Sequence, residues 1–254
     1  MEIVANNLGT ALVTGSSSGI GAAIARRLGR AGYHVYVTYH TSQVRGEATA
    51  SAIRETGGSA TALHLDVTSA ESVADSMEKV RRDFGRLNVL VYSAVTEVAK
   101  DIESATFAEW KLVVGTKIDG AFLCTKMALP LMRGANNAHL IFITSRDGEK
   151  PDPGYLAYCV GSAGLIAFVK AMALYLPHHG IRVNAVTPGP VRTPLWDALG
   201  GKDEAMWVSF AKASPMGRVA TVDDVAGIVQ LIVDEPTHYL NGNFIYVGGG
   251  GHLR

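Results

Sequence analysis

A glycine-rich segment near the N-terminus constrains the fold of this chain more than any other feature. Residues 14–21 read TGSSSGIG, and they join a short apolar run at 10–14 to an amphipathic run at 20–31. Glycine allows a tight turn and a close backbone approach to a ligand, while the first turn of a helix offers unpaired amide groups and a positive dipole end. The segment therefore predicts a strand–loop–helix unit that binds a pyrophosphate group.

Short apolar runs alternate with longer amphipathic runs along the rest of the chain, which indicates strands alternating with helices. The expected strands are 10–14, 34–39, 60–65, 88–91, 139–144, 181–186 and 243–247, and the expected helices are 20–31, 44–56, 70–84, a long one within 106–132, 154–176 and 221–233. Strands without polar alternation suit a parallel sheet that helices cover on both faces. We predict an α/β fold of the Rossmann type: a doubly wound, seven-stranded parallel sheet with helices on both faces, in a single domain over residues 1–254.

The composition fits an α/β enzyme and argues against several classes of partner. Of the 254 residues, 48% are hydrophobic, which is enough for a sizeable core in one domain. The formal net charge is zero, so nothing indicates a basic face that would attract nucleic acid or an anionic membrane. Neither Cys124 nor Cys159 has metal-ligand spacing, and the N-terminal residues lack a signal-peptide pattern. We expect a cytoplasmic protein with no metal, no nucleic-acid partner and no membrane span.

Residues 189–215 interrupt the alternation of strands and helices. This less regular stretch contains Trp196 and Trp207. Irregular segments of this length in compact domains are usually functional, and binding residues concentrate on them. We expect the stretch to form a lid over a substrate pocket.

Further motifs follow the glycine-rich segment in a consistent order. Asp66 ends the third expected strand, NAVTPGPVRT occupies 184–193, and Asn241-Gly242 precedes the last strand. With the Gly-x3-Gly-x-Gly spacing, these motifs make the chain resemble the short-chain dehydrogenase/reductase family along nearly its whole length. The resemblance implies a nicotinamide dinucleotide cofactor, a small-molecule substrate, and a homotetramer or homodimer. It implies cofactor contacts at Gly15, Ser17, Ser18, Gly19, Ile20, Gly21, Asp66, Val67, Ala94, Pro188, Gly189, Val191 and Thr193.

The end of the second strand bears on the choice of cofactor. Enzymes that bind NAD usually place an acidic residue there, against the ribose 2′-hydroxyl. Here the matching residue is Tyr39, followed by His40, Thr41 and Ser42. No carboxylate would repel a 2′-phosphate at this point, and the residues at 40–42 can donate hydrogen bonds to it, so NADP(H) is favoured over NAD(H). In the opposite direction, many NADP-dependent members of the family carry a basic residue where this chain has Ser18.

The resemblance also places the catalytic residues, and here the pattern breaks. Reductases of the family use a Tyr that gives a proton to the carbonyl oxygen, a Ser that holds this oxygen, and a Lys whose charge lowers the tyrosine pKa. Ser145 matches the Ser and Tyr158 matches the Tyr, but the Lys expected four residues after Tyr158 is Ser162. The family's upstream Asn is replaced by Lys117.

Two interpretations of this exchange stay open at the level of sequence. In the first, Lys117 reaches into the volume that Ser162 vacates and supplies the ammonium from another helix. A cation about 4 Å from the tyrosinate is worth roughly 4 kcal/mol at an effective dielectric near 20, or about three decades in rate. In the second, Lys117 points to solvent and the site has lost its catalytic cation.

Other departures surround these positions. Tyr155 has the spacing of the tyrosine in enoyl reductases of the same superfamily, so it is a second candidate acid, a substrate contact or a core aromatic. The family's Asn-Asn-Ala-Gly is YSAV at 92–95, which adds the bulk of Val95 near the expected cofactor ribose. The charged loop at 146–152 is either solvated or recognises a polar group of the substrate.

Three functions are compatible with these residues. The leading hypothesis is an NADP(H)-dependent reductase of a C=O, or of a conjugated C=C or C=N, in a small or carrier-bound molecule. The altered positions also allow a non-redox enzyme on the same scaffold, such as a cyclase, dehydratase or epimerase. The third hypothesis is a nucleotide-binding regulatory protein without catalysis.

Overall fold

The computed structural model describes residues 8–198 and 203–253. The strands within them are β1 (Gly9–Val13), β2 (Tyr33–Tyr39), β3 (Ser59–His64), β4 (Val89–Tyr92), β5 (His139–Ile143), β6 (Arg182–Pro188) and β7 (Phe244–Val247). The α-helices are α1 (Gly19–Arg30), α2 (Gln43–Glu55), α3 (Ala70–Phe84), α4 (Phe107–Val114), α5 (Gly120–Met132), α6 (Leu156–Tyr175), α7 (Pro194–Ala198), α8 (Glu204–Ala213) and α9 (Val222–Val233). All of the expected strands are present, with ends displaced by no more than two residues.

The strands form one parallel sheet in the order β3-β2-β1-β4-β5-β6-β7. The predicted Rossmann-type sheet of seven strands is therefore confirmed. The chain starts at β1, runs outward through β2 and β3, and returns to β4 on the other side of β1. In open parallel sheets a ligand binds beyond the carboxyl ends of the strands where the order reverses, which here is between β1 and β4.

Helices cover both faces of the sheet, because successive side chains of a strand point to opposite faces. On one face Leu12 packs in a core with α3, α5 and α6. On the other face Val13 packs in a core with α1, α2 and α9. The helical stretch Pro153–His179 is long and apolar enough to cross a membrane by composition alone, but Leu165 and Val169 within it belong to the first core.

The helix expected within 106–132 is divided by a π-helical turn, Gly115–Asp119, which carries Lys117. The hydroxyl of Tyr92, at the end of β4, donates a hydrogen bond to the carbonyl of Thr116 in this turn. Gly120 permits the approach, because a β-carbon there would collide with the Tyr92 hydroxyl. The turn that carries Lys117 is thus tied directly to the central sheet. Such π-helical turns inside helices are frequent at functional sites.

The stretch 189–215 is more regular than the sequence suggested, since it contains α7 and α8. Residues 199–202 of this stretch lie outside the described residues. Trp196, Trp207 and Phe210 pack together with ring centroids 5.6 to 5.7 Å apart. Both helices are too short for a clear helical period, which is why the pattern predicted an irregular segment.

Replacing Tyr92 with Phe should lower the free energy of unfolding by about 1 to 3 kcal/mol, because a buried carbonyl loses its hydrogen bond. Urea unfolding measures the change. Tyr239→Phe removes the same hydroxyl from an exposed side chain and should change the stability by less than about 0.5 kcal/mol. Equal stabilities of the two variants would contradict the role of the Tyr92 hydroxyl in holding the turn.

Candidate active site

A cavity of about 720 Å³ lies beyond the carboxyl ends of the strands. The segments that follow β1, β2, β3, β4, β5 and β6 all contribute to its wall. One side of the wall is apolar and aromatic, with Leu112, Tyr155, Trp196 and Phe210. A cavity of this volume, with an apolar side and a few convergent polar groups, is typical of a small-molecule or cofactor site.

The loop between β1 and α1 has the shape of an anion cradle. Gly15 and Gly19 adopt left-handed backbone angles, with φ of 63° and 55°, which glycine adopts without strain. A β-carbon on Gly21 would collide with the Gly15 carbonyl. Within the described part of the chain, the Ser18 side chain makes no capping hydrogen bond and the first turn of α1 has no acidic residue. The amide groups at the start of α1 are therefore suited to a phosphate group.

Most residues expected to contact a cofactor line this cavity. They are Gly15, Ser17, Ser18, Gly19, Ile20, Gly21, His40, Thr41, Asp66, Val67, Ala94, Pro188, Gly189, Val191 and Thr193. Tyr39 and Ser42 are not among the residues that line this cavity, and their contact with a cofactor stays a prediction. The Tyr39 ring packs against Gly46 of α2, and the Ser42 side chain is the N-cap of the same helix. Arg45 lines the cavity instead.

Charged and titratable groups meet where β2 and β3 end. His40 Nε2 lies 3.7 Å from Asp66 Oδ2, and Arg45 belongs to the same wall. The Asp66 carboxylate accepts hydrogen bonds from the amide and hydroxyl of Thr68, at 2.9 and 2.7 Å. Partial burial raises the pKa of Asp66, but these hydrogen bonds and the nearby histidines outweigh it and hold the pKa below its ordinary value. Asp66 is thus ionised at neutral pH, and the cation Arg45 belongs to the same cavity wall.

Ser145, Tyr155 and Tyr158 line the cavity together. Ser145 follows β5, and its Oγ accepts a hydrogen bond from the Asp147 amide at 3.2 Å. Burial raises the pKa of Tyr158, and the charge of Glu97 adds to this effect, while the Ser145 hydroxyl opposes it. The phenol is therefore protonated at neutral pH and able to give a proton.

Lys117 is directed into the site. Its side chain is buried, with 3% of its surface exposed, and its Nζ lies 3.9 Å from the centroid of the Tyr158 ring. An ammonium over the face of an aromatic ring is attracted by the ring quadrupole. Burial lowers the pKa of Lys117 to about 8, and the charges of Glu97 and Asp147 limit the fall. Of the two arrangements that the sequence left open, the structure has the inward one.

The room for Lys117 is provided by Gly161 of α6. A β-carbon on Gly161 would lie 3.1 Å from Lys117 Cβ and 3.3 Å from its Cδ. Ser162, which the sequence singled out as the vacated position, is fully buried. Its Oγ has no hydrogen-bond partner within residues 8–198 and 203–253. Gly161 thus lets the Lys117 side chain pack closely against α6, and the residue next to it is also small.

Glu97, in the loop after β4, belongs to the site and was missed by sequence reasoning. It lines the cavity, and burial raises its pKa to about 7 although the charge of Lys117 opposes this. Burial also raises the pKa of Asp147, whose carboxylate lies 3.8 Å from Arg146 Nε. The signal that could have found Glu97 is an acidic residue just after the strand at which the order reverses.

Among the described residues, no group of three His, Cys, Asp or Glu side chains could hold a metal.

Lys117→Met should stabilise the fold at pH 7. A pKa of about 8 instead of 10.5 means that burial disfavours the charged form, and at about 1.4 kcal/mol per pH unit the cost is about 3 to 4 kcal/mol. This cost is fully present below pH 8 and disappears as the pH rises toward 10.5, where the unfolded chain also loses the proton. The advantage of the variant should therefore shrink above pH 8.

Urea unfolding at about pH 7 and pH 9.5 measures this difference. Lys126→Met removes an ammonium from an exposed position on α5 and should give no comparable gain at either pH. A Lys117→Met protein that gains no more than the Lys126→Met protein would contradict the cost assigned to the buried ammonium.

Comparison with known proteins agrees with this geometry. A family model described as enoyl-(acyl carrier protein) reductase matches residues 15–252. The chain is 32% identical over 244 residues to the 3-oxoacyl-[acyl-carrier-protein] reductase FabG of Staphylococcus aureus strain Mu50, a match that covers 96% of this chain and 98% of that protein. It is also 32% identical over 242 residues to 3beta-hydroxysteroid dehydrogenase 1 of Eggerthella lenta, covering 95% of this chain and 92% of that protein.

A solved structure gives the same result. The crystal structure of a dehydrogenase/reductase from Sinorhizobium meliloti 1021 matches with a TM-score of 0.86 and 29% identity, covering 98% of this chain and 96% of that one. The likeness extends over nearly the whole of both chains. The chain therefore belongs to the short-chain dehydrogenase/reductase family of oxidoreductases.

Proposed function

We propose that this protein is an NADPH-dependent reductase of a carbonyl group in a small or carrier-bound molecule, and that Lys117 is its catalytic cation. The observation that carries the proposal is the placement of Lys117 Nζ, buried and 3.9 Å from the Tyr158 ring centroid. The same cavity contains Ser145 and the glycine cradle. Two of the similar proteins are a 3-oxoacyl-carrier-protein reductase and a hydroxysteroid dehydrogenase, which supports a carbonyl or alcohol as the reacting group.

A nicotinamide dinucleotide fits the residues present. The cradle at 15–21 would hold the pyrophosphate, because its glycines keep side chains out of that space. Asp66 and Val67 would lie at the adenine, and the segment 188–193 would meet the nicotinamide, as in the family. His40, Thr41 and Arg45 support the preference for a 2′-phosphate. When bound in its reduced form, the cofactor supplies a hydride to the substrate carbon.

Three side chains have separate roles at the substrate oxygen: those of Tyr158, Ser145 and Lys117. Tyr158 gives its phenolic proton to the oxygen, and its raised pKa keeps that proton in place until the transfer. Ser145 donates a hydrogen bond to the same oxygen. The ammonium of Lys117 stabilises the phenolate that remains, and its effect is larger in this desolvated site than it would be in water.

Reduction of a conjugated C=C is a second candidate. Tyr155 lines the cavity, with its ring centroid 6.5 Å from that of Trp196. Its sequence spacing is that of the enoyl-reductase tyrosine, and the matching family model carries that description. In this alternative Tyr155 gives the proton, so Tyr155→Phe would lower the rate on enones more than the rate on ketones.

We further propose a cytoplasmic homotetramer or homodimer without nucleic-acid or membrane partners, in which the stretch 189–215 acts as a lid. Phe122 of α5 and Val160 and Leu174 of α6 are exposed apolar side chains, which favours a partner surface on these helices. Trp196 and Phe210 of the lid line the cavity, which supports a role in substrate binding.

NADPH should bind more tightly than NADH. Arg45→Ala should weaken NADPH binding about tenfold and leave NADH binding nearly unchanged, because a cation beside the 2′-phosphate is lost. Titration of the nicotinamide fluorescence measures both affinities. Arg30→Ala, at the opposite end of α1 from the cradle, serves as the control. Equal losses for the two nucleotides, or no loss for NADPH, would count against the assigned phosphate site.

Turnover should depend on both Tyr158 and Lys117. In a panel of ketones, enones and imines followed by NADPH absorbance, Tyr158→Phe and Lys117→Met should each lower kcat by about 100-fold or more. Tyr239→Phe should leave kcat unchanged. Full activity of the Lys117→Met enzyme would overturn the proposal for the lysine. Tight NADPH binding with no turnover across the panel would instead favour the non-redox or regulatory hypothesis.

A further inference from the structure

Each reduction leaves the proposed acid, Tyr158, without its proton, and the proton must return from solvent before the next turnover. The ammonium of Lys117 lies 3.9 Å from the centroid of the Tyr158 ring and is able to pass on a proton. Lys117 is itself almost fully buried, so it needs a partner that reaches the open part of the cavity. The structure offers such a partner in the loop after β4.

Glu97 has the placement that this task requires. Its side chain is half-buried and lines the same cavity as Lys117 and Tyr158. The loop that carries it is held at both flanks of the site. The Lys100 carbonyl accepts a hydrogen bond from the Leu156 amide at the start of α6, at 3.2 Å, and the Lys100 ammonium pairs with Glu109 of α4 at 2.8 Å. The loop is thus fastened to the two helical segments between which Lys117 and Tyr158 meet.

The charge of Glu97 affects Lys117 and Tyr158 more strongly than the charge of the neighbouring carboxylate, Asp147. Glu97 is the foremost charge acting on both Lys117 and Tyr158, and it raises the pKa of each. In return, the charge of Lys117 is what lowers the pKa of Glu97 against the effect of burial. Asp147 already has Arg146 at 3.8 Å and an interaction with the Ser145 hydroxyl.

We propose that Glu97 is the counter-ion that positions Lys117 at Tyr158 and the residue through which the proton is returned from solvent. This inference rests on the proposed reduction. After proton transfer to the substrate oxygen, Lys117 gives a proton to the Tyr158 phenolate and becomes a neutral amine. The Glu97 carboxylate takes a proton from hydronium in the cavity, releasing water, and passes this proton to the amine, which restores both the ammonium and the carboxylate. The net reaction adds one hydride from the reduced cofactor and one solvent proton to the substrate.

Other titratable and charged groups near Lys117 and Glu97 also affect the pH dependence of this pair. The titratable and charged groups facing Lys117 and Glu97 are Asp147 and Arg146 after β5, Asp152 and Tyr155 before α6, and Tyr158 and Cys159 within α6. Removal of the negative charge of Glu97 should make the charged form of Lys117 less stable. The ammonium should therefore lose its proton at a lower pH when Glu97 is replaced.

The first test uses the protein without substrate. Lysine labelled with carbon-13 at Cε reports the titration of Lys117 by NMR, and the signal is assigned by its loss in Lys117→Met. Glu97→Gln should lower the Lys117 pKa by about one unit. Glu97→Asp, which keeps the charge on a shorter side chain, should give a smaller change. Glu103→Gln, an exposed carboxylate of the same segment, should give none.

The second test measures kcat from about pH 5 to pH 10 with NADPH and a ketone that the wild-type enzyme reduces. Glu97→Gln should lower kcat at pH 8 about tenfold and move the alkaline limb of the profile to lower pH, with little change in KM for NADPH. Glu97→Asp should recover part of kcat. Fluorescence of bound NADPH verifies that each variant is folded.

The outcomes separate this inference from the proposed function. If Lys117→Met is inactive while Glu97→Gln keeps both the wild-type Lys117 titration and the wild-type pH profile, the role of Glu97 is refuted and that of Lys117 stands. If Lys117→Met is fully active, the proposed catalytic lysine itself is wrong. A lowered Lys117 pKa with an unchanged kcat profile refutes the proton return and leaves Glu97 as a counter-ion only.

Discussion

The ammonium of Lys117, buried against the ring of Tyr158, is the interaction on which the rest of the site depends. A desolvated cation is stable in a protein only with compensating partners. Here the ring face of Tyr158 and the carboxylates of Glu97 and Asp147 supply that compensation. The remaining cost falls on the stability of the fold, and such a cost is typical of residues kept for function.

Several features outside the cavity serve the placement of this one side chain. The π-helical turn carries Lys117, and the Tyr92 hydroxyl fastens the turn to the end of β4. Gly120 allows the tyrosine to approach, and Gly161 leaves room for the lysine methylenes on α6. The parallel sheet then brings this pair to the same edge as the glycine cradle, because the carboxyl ends of parallel strands share one edge. The fold therefore places the glycine cradle, Tyr158 and Lys117 in one cavity.

The sequence predicted those parts of the structure that depend on local pattern. The strand–helix alternation, the seven-stranded sheet and the cradle at 15–21 follow from periodicity and from glycine positions. The direction of a single side chain depends on tertiary packing, as two residues at the end of β2 illustrate. The Tyr39 ring packs against Gly46 of α2, and Ser42 caps that helix. For the same reason, the sequence could not decide whether Lys117 points into the site or to solvent, and it did not identify Glu97 as a site residue. The π-helical turn has no residue signature of its own, since it is a change in hydrogen-bond spacing within an otherwise regular helix.

Compared with the family pattern, this chain has Lys117 in place of an asparagine and Ser162 in place of a lysine. Reversing these two replacements tests the central claim most directly. The measurement is kcat for NADPH-dependent ketone reduction by Lys117→Asn, by Ser162→Lys and by the double variant, which together form a double-mutant cycle. If Lys117 has taken over the role of the missing lysine, Lys117→Asn should lose about 100-fold or more in kcat, and adding Ser162→Lys to it should recover at least about tenfold. A Lys117→Asn enzyme as active as the wild type, or a double variant no better than Lys117→Asn, would contradict the account.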